Sequence, residues 1–263
     1  MNDLKKIETK PDEWEALKAF TNARIALGRT GVSVPLKESL QFKLAHAHAK
    51  DAVYSHLQVD ELLTSLSSTS LPIHYVKSQA SNRDIYLQRP DLGRLLDESS
   101  TNQIQQLGSP PADISIIVAD GLSATAINKN AAEVVDLLVR KGRQAGYSFA
   151  PIMLVEQGRV AITDAIGGLL RPRLAVMLIG ERPGLSSFDS IGAYITYAPQ
   201  PGLTDERRNC ISNIREQGLP PVMAVDKLMY LIDSAFRLQL TGVALKDNDE
   251  GGFLATSTPD SGP

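Results

Sequence analysis

Three short segments hold the residues of this chain whose types and spacing could bind or transform a ligand: residues 158–160, 180–187 and 209–214. The middle segment follows the apolar run 174–179, which predicts a strand that is buried on both faces and stops at Gly180. Ligands of open α/β sheets bind at the turns where strands end. We therefore expect the working edge of the protein at these turns.

Cys210 and Glu181 are the side chains in these segments with the clearest chemical options. A single cysteine is most often a small buried hydrophobe, but the neighbouring asparagine and serine side chains give Cys210 a polar setting. Glu181 is either a solvated carboxylate that pairs with Arg182 or an acceptor of hydrogen bonds from a ligand's amide or hydroxyl groups. The residue types alone leave these alternatives open.

Several common chemistries are disfavoured. His46 and His48 are two residues apart on a predicted helix and project about 200° apart, so they cannot chelate one ion. No histidine follows His74, which excludes the chain order of an α/β-hydrolase triad. The chain also lacks the glycine fingerprint of dinucleotide-binding folds and the Walker phosphate loop, which disfavours NAD and ATP as ligands.

Composition limits the classes of protein further. The 263 residues, 43% hydrophobic and 22% charged, are typical of a globular chain of one large or two small domains. A net charge of −3 argues against nucleic acid as a partner, and no apolar run approaches the ~20 residues of a membrane helix. One cysteine forbids an internal disulfide, and we expect a cytoplasmic location.

The elements that would position these segments alternate between strand and helix from about residue 110. Short β-rich runs predict strands, and apolar periodicity predicts helices between them; the strands are 114–118, 152–155, 174–179 and 194–197, and the helices are 126–144, 162–170 and one from Pro220. Ser123 is the expected N-cap of the first of these helices. This alternation predicts an α/β fold with a Rossmann-like, doubly wound, mostly parallel sheet.

The first third is predicted to be mainly helical. One helix is expected from Pro11 to Leu27 and another from Pro35 to about His56, followed by a short strand at 73–76. We thus expect a helical N-terminal region at 1–105, a Rossmann-like domain at 106–246 and a disordered tail at 247–263.

In chain order, several segments resemble the small (light) subunit of ethanolamine ammonia-lyase. The resemblance rests on residues 158–160, 180–185 and 209–214, together with 86–94, 120–123 and the early residues 23–29. These matches span about residues 20–245. The resemblance implies a subunit of a hetero-oligomeric lyase that uses adenosylcobalamin for the radical conversion of ethanolamine to acetaldehyde and ammonia.

By the same resemblance, Val160, Glu181 and Cys210 would contact the cobalamin, and the chain would carry no catalytic residue and no metal ligand. The substrate site would lie on a large TIM-barrel subunit, without which the chain is inactive. No histidine has the Asp-x-His-x-x-Gly setting, so the cofactor's own base is expected to stay on cobalt. In relatives an N-terminal extension can direct packaging into a bacterial microcompartment; the stretch before Trp14 is short, and this packaging is left open.

Two other interpretations stay open at this point. One is a stand-alone α/β enzyme that binds a nucleotide or sugar at the turn around Asp120. The other is a purely structural subunit, which we would expect if Val160, Glu181 and Cys210 were scattered or buried apart.

Overall fold

A six-stranded mixed sheet forms the centre of the computed structural model, which describes residues 10–21, 23–108 and 110–246. The strands lie in the order β1-β3-β2-β4-β5-β6. Their bounds are β1 Ile73–Lys77, β2 Ile114–Ala119, β3 Ile152–Glu156, β4 Leu174–Gly180, β5 Ile191–Tyr197 and β6 Arg208–Ile214. The first four in this order are parallel, and β5 and β6 are antiparallel to their neighbours.

Helices cover both faces of the sheet. The α-helices are α1 Leu36–Tyr54, α2 Val59–Leu66, α3 Arg83–Gln88, α4 Glu98–Gln106, α5 Ala124–Gln144, α6 Ile162–Leu170 and α7 Pro221–Leu238. Apolar side chains of α2, α5 and α7 pack on one face, and those of α4 and α6 pack on the other. The side chains of β2 and β4 are buried on both faces, which explains their continuous apolar sequence.

The local predictions in the sheet half hold closely. The helix at 162–170 is confirmed at both ends, and α5 begins two residues before its predicted start, capped by the hydroxyl of Ser123, which accepts a hydrogen bond from the amide of Ala126 at 3.1 Å. The α/β class is therefore confirmed. The Rossmann-like, doubly wound arrangement stays a prediction, because only part of the sheet is parallel.

The antiparallel edge has a simple cause. The segments 181–190 and 198–207 contain no α-helix, and a parallel connection needs a crossover of a dozen or more residues. The chain therefore turns back twice. Strand β6 was expected as a site segment and not as a strand; its burial is interrupted by polar, exposed positions, which hid its strand character.

The N-terminal helix predicted from Pro11 to Leu27 is wrong. The described residues of this segment form a 3-10 helix at Glu15–Phe20, and Trp14 and Phe20 are 67% and 87% exposed, so nothing in the described part of the chain covers this apolar face. The second helix is confirmed as α1.

The proposed division at residue 105 stays a prediction. Strand β1 and helix α2 lie before that boundary, yet both contribute to the same sheet and core as the later elements. The tail at 247–263 lies outside the described residues. Within the described ranges, no helix is long and apolar enough to cross a membrane.

Candidate functional site

A cavity of about 640 Å³ lies at the carboxyl edge of the sheet, beside the ends of β3 and β4. The connection that leaves β2 enters α5 on one face, whereas the connection that leaves β3 enters α6 on the other face. Loops that separate in this way leave a crevice at the strand ends, where open α/β sheets bind ligands. Its lining includes the side chains of Tyr86, Arg159, Val160, Glu181, Tyr194 and Arg215.

Close backbone packing fixes the floor of this cavity. The amide of Leu122 donates to the carbonyl oxygen of Gly180 at 2.9 Å, which joins the turn after β2 to the end of β4. A Cβ atom on Gly180 would overlap the carbonyl oxygens of Ser123 and Asp120, so only glycine fits there. The two turns therefore form one rigid unit.

Helix α5 holds the loop 181–190, which forms one side of the cavity. The hydroxyl of Ser123 donates to the carbonyl of Phe188 at 2.9 Å, and the side-chain amide of Asn130 donates to the carbonyl of Asp189 at 2.8 Å. Lys129 forms an ion pair with the Asp189 carboxylate at 2.6 Å. This loop lacks secondary structure of its own, yet it is anchored at several points.

Glu181 is positioned by hydrogen bonds on two sides. Its amide donates to the carbonyl of Ser190 at 3.1 Å, and its Oε2 accepts from the amide of Asn213 at 3.1 Å. Asn213 has a positive φ of 59°, which turns its amide out of the β6 ladder. Among the described residues Glu181 forms no ion pair with Arg182, so the surface-pair interpretation is wrong.

Val160 reaches the same cavity from the end of β3. The hydroxyl of Tyr86 donates to the carbonyl of Gly158 at 3.0 Å, and the guanidinium of Arg159 stacks on the Tyr86 ring with its central carbon 4.1 Å from the ring centroid. Residues 158–160 are thus held by an aromatic side chain that comes from α3. Val160 supplies an apolar patch beside polar neighbours.

Cys210 lies next to the cavity but is not one of its lining residues. It is exposed, so the interpretation of Cys210 as a buried hydrophobe is wrong. It pairs across the β5–β6 ladder with Tyr194, which does line the cavity. Burial is the main cause that raises the pKa of Tyr194, and the adjacent Cys210 thiol raises this pKa further. The structure therefore brings Val160 and Glu181 together and places Cys210 one side chain away.

A buried charge network lies behind the site. Arg83 donates to the carbonyl of Gly121 at 2.8 Å and lies 3.6 Å from the Asp120 carboxylate, which in turn accepts from the amide of Gly158 at 3.2 Å. Desolvation, only partly opposed by Arg83, raises the pKa of Asp120 to about 6. Since Asp120 is 2% exposed, this carboxylate holds the turns together and is not open to a ligand.

A second buried pair anchors β6. Arg208 forms two hydrogen bonds to the carboxylate of Asp164 on α6, at 2.8 and 2.7 Å, and its side chain is 2% exposed. This bidentate contact fixes the edge strand that carries Cys210 and Asn213.

Of the lining residues, the sequence analysis named Val160 and Glu181 as site residues, and it did not include the polar side chains of Tyr86, Arg159, Tyr194 and Arg215. Arg159 lies between two residues of a segment chosen as a site, and this adjacency was the available signal. Tyr86 and Arg159 are 73 residues apart in the chain, so their contact leaves no local pattern.

The lining offers both apolar contacts and hydrogen-bonding groups to a ligand. Val160, Leu122 and Ile179 are apolar, whereas Glu181 offers carboxylate oxygens and Arg159 offers N–H donors. No group of three histidine, cysteine, aspartate or glutamate side chains in the described ranges could hold a metal ion.

Comparison with known proteins bears on what this ligand is. The sequence model of the family described as Ethanolamine ammonia-lyase light chain (EutC) matches residues 11–246. The chain is 48% identical over 255 residues to the ethanolamine ammonia-lyase small subunit of Pseudomonas paraeruginosa (strain DSM 24068 / PA7), covering 95% of this chain and 92% of the relative. It is 49% identical over 252 residues to that of Pseudomonas putida (strain W619), covering 94% and 92%, respectively. Against the small subunit of Azotobacter vinelandii (strain DJ / ATCC BAA-1303) it is 49% identical over 240 residues, covering 90% and 89%.

Proposed function

Because the chain belongs to the family of ethanolamine ammonia-lyase small subunits, we propose that it helps to hold adenosylcobalamin for the conversion of ethanolamine to acetaldehyde and ammonia. The observation that carries the proposal is the shared cavity of Val160 and Glu181 at the carboxyl edge of the sheet, with Cys210 beside it. Two chain-distant residues meet at one opening, which argues against the scattered arrangement expected of a purely structural subunit. On this proposal the edge serves as the ligand crevice of a Rossmann-like sheet.

The residues present fit such a cofactor. Cobalamin is rimmed by amide side chains and carries a nucleotide tail, so its binding needs hydrogen-bond acceptors, donors and apolar contacts. Glu181 accepts from an amide or a ribose hydroxyl, Val160 contacts an apolar edge, and Cys210 gives a small polarizable contact through which a bulky ring system can approach. When bound, the cofactor supplies the radical chemistry of the reaction.

The chain's own part is to bind and orient, and it needs no catalytic group of its own. None of His46, His48, His56 and His74 lines the cavity, and on this proposal none of them would take part in holding the cofactor, which would keep its own base. Glu181 is held by the Asn213 amide, and this contact fixes its carboxylate before the ligand arrives.

A small subunit implies a large one, and we propose that this partner is a TIM barrel that carries the substrate site, so that the isolated chain is inactive. An apolar surface for docking is available in the first third, where Trp14, Phe20, Leu36 and Leu40 are each more than half exposed. The exposed ion pair of Arg89 and Asp91 is a second candidate contact. We place the assembled enzyme in the cytoplasm, with packaging into a microcompartment as a further option.

The test is reconstitution. The chain is co-expressed with its large subunit, and cobalamin binding is followed by absorbance spectroscopy while acetaldehyde release is measured separately. We expect both only in the complex, and Glu181→Ala should weaken cobalamin binding, because it removes the acceptor. The melting temperature of the complex shows whether the lost contact with the Asn213 amide also affects the fold. Glu133→Ala, an exposed glutamate on α5, is the matched control.

Three outcomes would contradict the proposal. They are full activity from the large subunit alone, equal cobalamin affinity in the Glu181→Ala and Glu133→Ala complexes, and NAD or ATP in place of a corrinoid at this edge of the sheet.

A further inference from the structure

We propose that Arg159 is the anion-binding residue of this site and that it takes the phosphodiester of the cofactor's nucleotide tail. This inference rests on the proposed function, because it names the part of the ligand that one residue recognises. It starts from the charge of the cavity, whose lining contains Arg159, Arg182 and Arg215 but one carboxylate, Glu181.

The partners of these four side chains show which charges are already compensated. Arg215 lies 3.7 Å from the Asp189 carboxylate and donates to the side chain of Asn213 at 2.9 Å. Among the described residues, neither Arg159 nor Arg182 lies within salt-bridge distance of a carboxylate. The arginines of the lining therefore outnumber its one carboxylate, and two of them form no ion pair with the described residues, which favours an anionic ligand group.

Arg159 differs from Arg182 because it is held in place. Its amide donates to the carbonyl of Gly93 at 2.7 Å, and its Nη2 donates to the carbonyl of Tyr86 at 3.0 Å. Its side chain stacks on the Tyr86 ring, and a Cβ atom on Gly93 would come within 2.7 Å of its Cγ. Arg182, by contrast, is exposed. A guanidinium fixed before binding loses little conformational freedom when a ligand arrives.

The hydrogen bonds of Arg159 leave part of its donor fork unused. Its Nη1 donates to no acceptor in the part of the chain that the structure describes, whereas its Nε is buried and out of a ligand's reach. The Nη1 and Nη2 groups of a guanidinium present paired N–H donors that match the oxygens of a phosphate. Ser186 and Ser187 line the same cavity, and their hydroxyls offer further donors.

A phosphodiester is the anionic group of the proposed cofactor, and its cost of leaving water is offset when a fixed guanidinium meets it. The alternative is that a carboxylate of the large subunit pairs with Arg159. The two possible partners of Arg159 can be distinguished by measurement. If Arg159 binds the phosphodiester, its substitution weakens only corrinoids that carry a phosphate; if it pairs with a carboxylate of the large subunit, the effect does not depend on the phosphate.

The experiment compares three corrinoids on the assembled complex: cobinamide, cobinamide phosphate and cyanocobalamin. Equilibrium dissociation constants are measured by absorbance after gel filtration or dialysis, so the readout does not depend on turnover. Arg159→Met keeps the stem that packs on Tyr86 but removes the charge, and Arg159→Lys keeps the charge but removes the fork. Arg143→Gln, at an exposed arginine in the last turn of α5 that does not line the cavity, is the matched control.

We expect Arg159→Met to weaken the two phosphate-bearing ligands by roughly 10- to 100-fold, as for loss of a charge-assisted hydrogen bond. Its effect on cobinamide should be less than twofold, and Arg159→Lys should be intermediate. Arg143→Gln should change the ratio of the affinities by less than twofold. Melting temperatures of the complexes separate loss of the contact from loss of the fold.

Two results would overturn the inference while leaving the proposed function standing: unchanged binding of cobinamide phosphate by Arg159→Met, or equal weakening of all three ligands in a folded complex. A wild-type complex that binds none of the three corrinoids would instead contradict the proposed function itself.

Discussion

Replacing Arg208 with methionine should destabilise the protein strongly, because it would leave the Asp164 carboxylate buried without its partner. The two charge-assisted hydrogen bonds, at 2.8 and 2.7 Å, are made in an environment where the two side chains are 2% and 6% exposed. Removing one member of such a pair costs about 3–5 kcal/mol, most of it the penalty of the remaining buried charge. We therefore expect the free energy of unfolding to fall by about this amount.

The assay is urea denaturation of the isolated chain, followed by circular dichroism. Arg207→Met is the control, since Arg207 is the exposed neighbour of Arg208 and its substitution should change stability by less than about 0.5 kcal/mol. The double variant Arg208→Met with Asp164→Leu should recover much of the loss, because it removes the stranded carboxylate as well. If Arg208→Met costs less than about 1 kcal/mol, or if the double variant is no more stable than it, the reasoning is refuted.

Three further predictions follow from the same structure. Burial raises the pKa of Asp120 from its ordinary 3.8 to about 6, so its ionisation should lower the free energy of unfolding by about 2 kcal/mol as the pH rises from 4 to 7. Asp120→Asn should flatten this fall in the pH dependence of urea unfolding, and parallel profiles would contradict the prediction. Gly180→Ala should lower the free energy of unfolding by about 1–3 kcal/mol, because the added Cβ would force apart two backbone turns. Gly184→Ala is the control and should cost clearly less, because its Cβ would meet only a serine hydroxyl at 3.1 Å. Equal losses of stability would count against a rigid floor. Leu40 and Leu44 are 54% and 57% exposed on α1, and replacing both with serine should change the chain's stability by no more than about 0.5 kcal/mol. The same change should reduce co-purification of the chain with the large subunit. Unchanged co-purification would exclude this surface from docking.

The parts of the fold that sequence could predict are those whose signal is local. The bounds of α6 and the capped start of α5 follow from apolar periodicity and from the Ser123 hydroxyl, both of which act within a few residues. The same periodicity misled at Trp14 and Phe20, because an apolar face forms a stable helix only where another surface covers it. Strand β6 was hidden for the opposite reason, since an edge strand with polar, exposed positions lacks a continuous apolar run.

The site divides in the same way. Val160 and Glu181 could be predicted because each comes after a strand, and parallel strands bring such positions to one edge of the sheet. The positions of Tyr86, Arg159 and Tyr194 depend on contacts between elements far apart in the chain, such as the stacking of Arg159 on Tyr86, which no spacing encodes. The residues that preorganise the cavity are therefore those that local sequence patterns do not predict.

The size of the cavity bears on why the proposed function needs two chains. Pockets of ~300–1,000 Å³ enclose most of a drug-sized ligand, whereas a corrinoid with its nucleotide tail is considerably larger, and the cavity here measures about 640 Å³. Its floor cannot widen, because the backbone around Gly180 is in close contact with the turn after β2. The chain can thus supply one rigid wall but not a closed chamber, and radical chemistry needs exclusion of water and competing reactants. On the proposed function, the large subunit must close the remaining side.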